Sequence, residues 1–234
     1  MVNCPADRAI HVSGLAKRFG TRWVLRGVSL DVRHGEAVGL MGPNGSGKST
    51  LLRIIGTLLV PSAGAGCVNG LDLVREASSV RGHIGYLAHT PGLYDDLTAR
   101  ENLNFAADML GVPYTAVEGT LERVGLAHVA GDRVRGFSAG MQRRLALARL
   151  ILRRPRILLL DEPYSNLDAD GVELMNAVVG DIVRSGGAAL VSLHELAPAR
   201  AMLDRTLTLV AGRIDPARPE RAASEPAAAG QGVR

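Results

Sequence analysis

The stretch GPNGSGKST, residues 42–50, constrains this chain more than any other. It fits the pattern G-x-x-x-x-G-K-[ST], and its flanks put it in one structural context. Before it, EAVGLM (36–41) is a short apolar run that reads as a buried strand. After it, STLLRIIGTLL (49–59) reads as a helix. A strand passing through a glycine-rich turn into a helix leaves successive N–H groups pointing into one hollow, because glycine accepts the backbone angles such a turn needs. The positive end of the helix faces the same hollow. Gly42, Pro43, Asn44, Gly45, Ser46, Gly47, Lys48, Ser49 and Thr50 would therefore cradle phosphate groups. Lys48 would reach the outer phosphates, and Ser49 would offer its hydroxyl to Mg²⁺. Of the 27 basic residues only Lys17 and Lys48 are lysines. A compact ammonium suits this slot where a planar guanidinium fork would not.

The surrounding pattern is of mixed type. AIHVSGL (9–15) and VLRGVSLDV (24–32) alternate apolar and polar positions, as half-buried antiparallel strands do. From about residue 92 to 152 the periodicity is helical. Thr98 with Glu101 forms a capping box ahead of Leu103, Ala106, Ala107 and Leu110, and a second helix opens near Ser138 and must end at Pro155. RILLLDE (156–162) and AALVSLHE (188–195) read as buried parallel strands around a helical segment, 170–185. Strands alternating with helices imply a parallel sheet, here preceded by an antiparallel lobe and interrupted by a helical insert. Residues 214–234, rich in Pro, Ala and Gly, read as a disordered tail.

With 3% aromatic residues, aliphatic side chains must fill the core. The arginines are scattered among acids rather than gathered into a stripe, so a net charge of +4 does not indicate a nucleic-acid surface. No apolar run reaches bilayer length, and the first residues carry no signal-peptide core. Cys4 and Cys67 have no metal spacing and are expected as reduced thiols.

Asp161 and Glu162 stand at the carboxyl end of the LLLD strand, where ligands gather in open α/β sheets. Asp161 is expected to orient Mg²⁺. Glu162, turned away from it by strand alternation, is expected to be the general base for an attacking water. His194 has the same placement one strand further on and would position the terminal phosphate and the water.

Phe137 to Leu150, FSAGMQRRLALARL, add a further signal. The order of cradle, signature, acidic strand, SNLD and histidine resembles that of the ABC-transporter ATPases, and the resemblance covers residues 8–213 as one domain. It implies an α/β P-loop NTPase with a RecA-like core, an antiparallel β lobe and an inserted helical signature subdomain, residues 92–152. It also implies a Mg²⁺-dependent ATPase coupled to transport. Phe19 falls where an aromatic ring stacks on adenine. Ser138, Ala139 and Gly140 fall where the signature of one subunit caps the ATP held by another, and Asn166 to Asp168 where a loop crosses the dimer interface. The resemblance thus predicts a head-to-tail homodimer around two ATP, docked on transmembrane subunits at the cytoplasmic face of the membrane. Ala139 replaces a glycine of the usual signature and is tolerable if already helical.

His89 stands where the family usually has a glutamine that touches Mg²⁺ or the attacking water. Imidazole is a poor Mg²⁺ ligand, so His89 would hydrogen-bond the water or serve as a hinge contact. Histidine here, S-A-G in the signature and Tyr164 after D-E-P together resemble the ATPase of the haem exporter used in cytochrome c maturation. Drug and polysaccharide exporters share much of this pattern. A soluble clamp acting on ribosomes or DNA would call for two cassettes or a coiled-coil insert, and a regulatory module without turnover conflicts with Glu162 and His194.

Overall fold

A computed structural model describes residues 4–216 and 220–221. β1 (Arg8–Phe19) and β2 (Arg22–Arg33) pair antiparallel, and β4 (Ala63–Val68) and β5 (Leu71–Asp72) extend this sheet in the order β2-β1-β4-β5. Both long strands exceed what their alternation suggested. Register shifts between Val12 and Leu15 and again between Leu15 and Ala16 break the period of two, and Gly14 (φ 62°) sits within the first.

A second, seven-stranded sheet contains β3 (Ala37–Met41), β6 (Ile84–Leu87), β7 (Ile157–Asp161), β8 (Ala188–Ser192) and β9 (Arg205–Val210), all parallel. Its order is β10-β9-β3-β8-β7-β6, with β10 (Arg213–Ile214) and β11 (Glu220–Arg221) antiparallel to β9. β8 lies between β3 and β7, so the loops leaving β3 and β7 flank its carboxyl end. β7 and β8 are buried at every position, which accounts for their unbroken apolar sequences.

The helices are α1 (Lys48–Ile55), α2 (Ala77–His83), α3 (Ala99–Leu110), α4 (Thr115–Arg123), α5 (Ala139–Arg153) and α6 (Ala169–Arg184). α3 carries the full capping box, with Thr98 accepting from the Glu101 N–H and Glu101 from the Thr98 N–H. Such a cap contributes about 1 kcal/mol. α1 is shorter than its sequence suggested: it ends at Gly56, and Thr57 turns left-handed at φ 57°.

Three apolar clusters hold these parts. One lies between the two sheets around Leu51, Leu52, Ile54 and Ile55 of α1. A second packs α5 and α6 on β7 and β8, and a third belongs to α3, α4 and α5. α5 serves two clusters: Ala146, Leu147 and Leu150 face the sheet, while Leu145, Ala148 and Leu152 face the helical insert. The result is the expected mixed α/β P-loop architecture with an antiparallel lobe and a helical insert.

Two expectations are corrected. Cys4 and Cys67 are not free thiols: their Cα atoms lie 6.1 Å apart and the pair forms a disulfide. The β1–β4 register brings them together, because Val68 pairs with Ile10 and Asn69 donates to the Ala9 carbonyl. In the segment expected as a tail, Ile214 ends β10 and Glu220–Arg221 pair with Arg205 and Thr206. Residues 217–219 and 222–234 lie outside the described residues. Among the described residues, no helix is long and apolar enough to cross a membrane.

Candidate functional site

The cradle follows β3 directly. Gly42 has φ 145°, and a Cβ there would come within 2.2 Å of the Leu209 carbonyl oxygen. Gly47 has φ 110°, and its Cβ would meet Leu25 at 2.7 Å. Side chains at either point would push the loop off β9 and β2, so two glycines are steric requirements here. Pro43 accepts from the Ser46 N–H at 3.2 Å, and Gly45 (φ 76°) turns the chain between them. Asn44 is exposed at the rim, Ser46 is buried, and Ser49 and Thr50 lie in the first turn of α1.

Lys48 is buried, with Nζ donating to the carbonyls of Gly42 (2.7 Å) and Pro43 (3.3 Å). Burial pushes its pKa down, while the nearby Glu162 and Asp161 carboxylates act against that shift. The ammonium thus spans the mouth of its own loop, within reach of any anion seated there.

Ser49 Oγ donates to Asp161 Oδ1 at 3.0 Å, and Ser192 Oγ donates to the same oxygen at 2.7 Å. Asp161 Oδ2 is buried without a hydrogen-bond partner. A buried carboxylate oxygen left open beside a serine hydroxyl fits a hard, oxygen-seeking cation such as Mg²⁺, which takes one or two protein groups and completes its shell from phosphates and water. Ser192 was not singled out from the sequence. The strand register places it opposite Asp161, and its Oγ also accepts from the Glu162 N–H at 3.0 Å. The signal was a lone hydroxyl in the apolar run AALVSL.

Glu162 does point away from Asp161, but not by strand alternation. β7 ends at Asp161, and Glu162 adopts φ 51°, a left-handed turn held by N–H bonds to the Ser192 carbonyl and hydroxyl. Its carboxylate lies between two imidazoles, with Oε1 2.6 Å from His194 Nε2 and Oε2 3.6 Å from His89 Nε2. His89, on the loop after β6, therefore faces Glu162 rather than the Asp161–Ser49 pair.

Arg143 lies within the segment FSAGMQRRLALARL, where the sequence alone gives it no role of its own. It is 3% exposed and donates to the carbonyls of Ala88 (2.7 Å) and Glu162 (2.6 Å). The clue was a charge at spacing 3, 4 and 7 from the buried Ala146, Leu147 and Leu150.

The signature residues stand apart from the cradle. Ser138 caps α5, its Oγ accepting from the Met141 N–H at 3.2 Å, and Ala139 is the first helical residue. A Cβ on Gly140 would come within 2.8 Å of the Asn166 carbonyl oxygen, so this helix start packs on the SNLD loop of its own chain. Asp168 caps α6 through the Gly171 N–H and pairs with Arg144 at 2.6 Å, which holds its carboxyl below the usual range. Phe19 is 48% exposed at the end of β1, beneath the Lys17 ammonium. Tyr164 is half-buried, its hydroxyl donating to Asn176, which donates to the Pro198 carbonyl.

A cavity of about 550 Å³ opens between the His89 loop and α3, bordered by Leu58, Tyr94, Phe105, Met109, Arg81 and Arg149. Its apolar rim is exposed, with Tyr94 and Phe105 in edge-to-face contact.

The family model described as ABC transporter matches residues 25–165. The chain is 43% identical over 176 residues to the cytochrome c biogenesis ATP-binding export protein CcmA of Xanthomonas axonopodis pv. citri, covering 75% of this chain and 81% of that one. It is 39% identical over 213 residues to the daunorubicin resistance ATP-binding protein DrrA3 of Streptomyces coeruleorubidus, covering 89% and 67% respectively. An ATP-binding cassette solved as a dimer in a post-hydrolysis state with ADP and Pi superposes with a TM-score of 0.80 at 26% identity, over 92% of this chain and all of that one.

Proposed function

The chain belongs to the ABC transporter family as an ATP-binding subunit, and from that premise we propose that it is the Mg²⁺-dependent ATPase of a haem exporter in cytochrome c biogenesis. The observation that carries the enzymatic part is the convergence of Lys48, Ser49, Asp161, Glu162 and His194 at the carboxyl ends of β3, β7 and β8. Residues 8–213 form the ATPase domain on this reading, with 92–152 as its helical subdomain.

Lys48 exchanges its carbonyl contacts for the outer phosphates of ATP. Ser49 and Asp161 would hold Mg²⁺, which would neutralise phosphate charge. Glu162 takes a proton from the attacking water. His194, with Nε2 2.6 Å from Oε1, holds the carboxylate in place. His89 reaches the second carboxylate oxygen, so the family's glutamine position here serves the base rather than the cation. Phe19, exposed beside the cradle's hairpin, supplies the adenine platform.

Ser138, Ala139, Gly140 and Asp168 act on the ATP of a partner copy. The hydrogen bonds of Ser138 run to Met141 and Gln142 within its own helix, and the hydroxyl and first N–H groups of α5 suit an anion brought by another molecule. Two copies, head to tail, would enclose two ATP. The apolar cavity beside α3 suits a short amphipathic segment of a membrane-embedded partner, which would hold the subunit peripherally at the cytoplasmic face.

The haem assignment rests on His89, S-A-G and Tyr164 together with the 43% identity to CcmA. A drug exporter is the second reading, favoured by the longer match to DrrA3. Copurification from detergent-solubilised membranes tests both. Recovery of membrane subunits with haem supports the first, and turnover stimulated by amphipathic drugs but not haem would replace it with the second.

A further inference from the structure

Arg143 lies at a junction that the reaction scheme does not use. It follows the signature cap Ser138 by little more than one helical turn, on the helix that shares its two faces between the β7–β8 core and the helical insert. Its guanidinium is buried, and burial pushes its pKa down. A buried cation is costly unless its donors are matched. Here two donors go to the carbonyls of Ala88 and Glu162 rather than to a carboxylate. Ala88 immediately precedes His89, and Glu162 carries the carboxylate that both histidines face. One rigid fork therefore holds the backbone on both sides of the carboxylate.

We propose that Arg143 is a positioning residue that ties the signature helix to Glu162 and to the His89 loop, so that movement of α5 moves the base. This rests on the reading of Glu162 as general base. The left-handed turn at Glu162 is fixed on its N–H side by Ser192 and on its carbonyl side by Arg143. Any shift of α5 that stretches the 2.6 Å bond rotates this turn and carries the carboxylate with it. Lysine cannot replace the fork, since a single ammonium does not match the paired, planar geometry.

A double-mutant cycle on the full chain tests this, reading single-turnover ATP hydrolysis and ATP affinity for wild type, R143M, E162Q and the double variant. R143M is expected to lower kcat about 10–100-fold with KM and Kd for ATP within about threefold, a loss confined to the transition state. In the E162Q background the same change should cost less than about threefold, because a residue acting through Glu162 has little left to position. Should R143M fail to fold, R143K replaces it in the same cycle, with loss of kcat and the same non-additivity expected. Equal fold losses in both backgrounds, or unchanged kcat in R143K and R143M, would overturn the inference while leaving Glu162 as base. An E162Q variant with normal turnover would instead remove the reading on which the inference rests.

Discussion

Glu162 Oε1 lies 2.6 Å from His194 Nε2, across the gap between the ends of two adjacent parallel strands. Neither residue belongs to a strand. Both sit just beyond one, and the contact exists because Asp161 and Ser192 are in register and the chain turns left-handed at Glu162. This places the proposed base beside an imidazole nitrogen and turns it away from the oxygen set of Ser49 and Asp161.

Glu162→Gln removes the proton acceptor but keeps the shape. Turnover should fall about 10²–10⁴-fold, with ATP affinity retained and ATP-dependent dimers accumulating. Phosphate release and light scattering with and without ATP measure the two effects, and undiminished turnover would exclude Glu162 as base.

Lys48→Ala deletes the one ammonium in the cradle. Loss of a charge-assisted contact worth about 1.5–3 kcal/mol should weaken ATP binding about 10–150-fold. Fluorescence titration with a nucleotide analogue provides the readout, and wild-type affinity would contradict the role given to the loop.

Ser192→Ala takes away the hydroxyl that donates to Asp161 and accepts from the Glu162 N–H. We expect an apparent Mg²⁺ affinity about tenfold weaker, as for other residues that support a metal-binding carboxylate. Varying Mg²⁺ at saturating ATP checks this, and an unchanged Mg²⁺ requirement would reduce Ser192 to packing.

Glu36 bears on stability rather than chemistry. Burial alone would raise its pKa, but the Arg205 hydrogen bond at 2.6 Å, the Arg33 N–H and both their charges outweigh it and hold the carboxyl below its ordinary value. The folded state therefore binds this proton less readily than the unfolded chain. The stabilisation is complete above the ordinary carboxylate range and is lost as pH falls through the depressed folded value. Glu36→Gln should cost about 1–3 kcal/mol at neutral pH, and the difference from wild type should shrink on acidification. Urea unfolding at several pH values tests the sign, and a difference that grows in acid would refute it.

Much of this molecule is written locally. GPNGSGKST, the capping box at Thr98, the apolar runs before Asp161 and His194 and the helical period of 139–153 each depend on neighbours a few residues away, and each produced the expected element. Chain order along the sequence was therefore sufficient to predict a P-loop core with an antiparallel lobe and a helical insert. Other features depend on register and crossover. Short β6 has too few residues to show a period, and bulges hid the full length of β1 and β2. The Cys4–Cys67 pairing needed the β1–β4 register, and the turn at Glu162 needed β8 beside β7. Ser192 and Arg143 looked like a stray hydroxyl and one arginine among many until the sheet placed one against Asp161 and the helix aimed the other at two distant carbonyls. Residue type and local spacing determined which groups this chain offers to a phosphate. Only the tertiary structure decided which of them meet, because contacts between segments more than a hundred residues apart, such as Ser49 and Asp161, are set by strand order and packing rather than by any local preference.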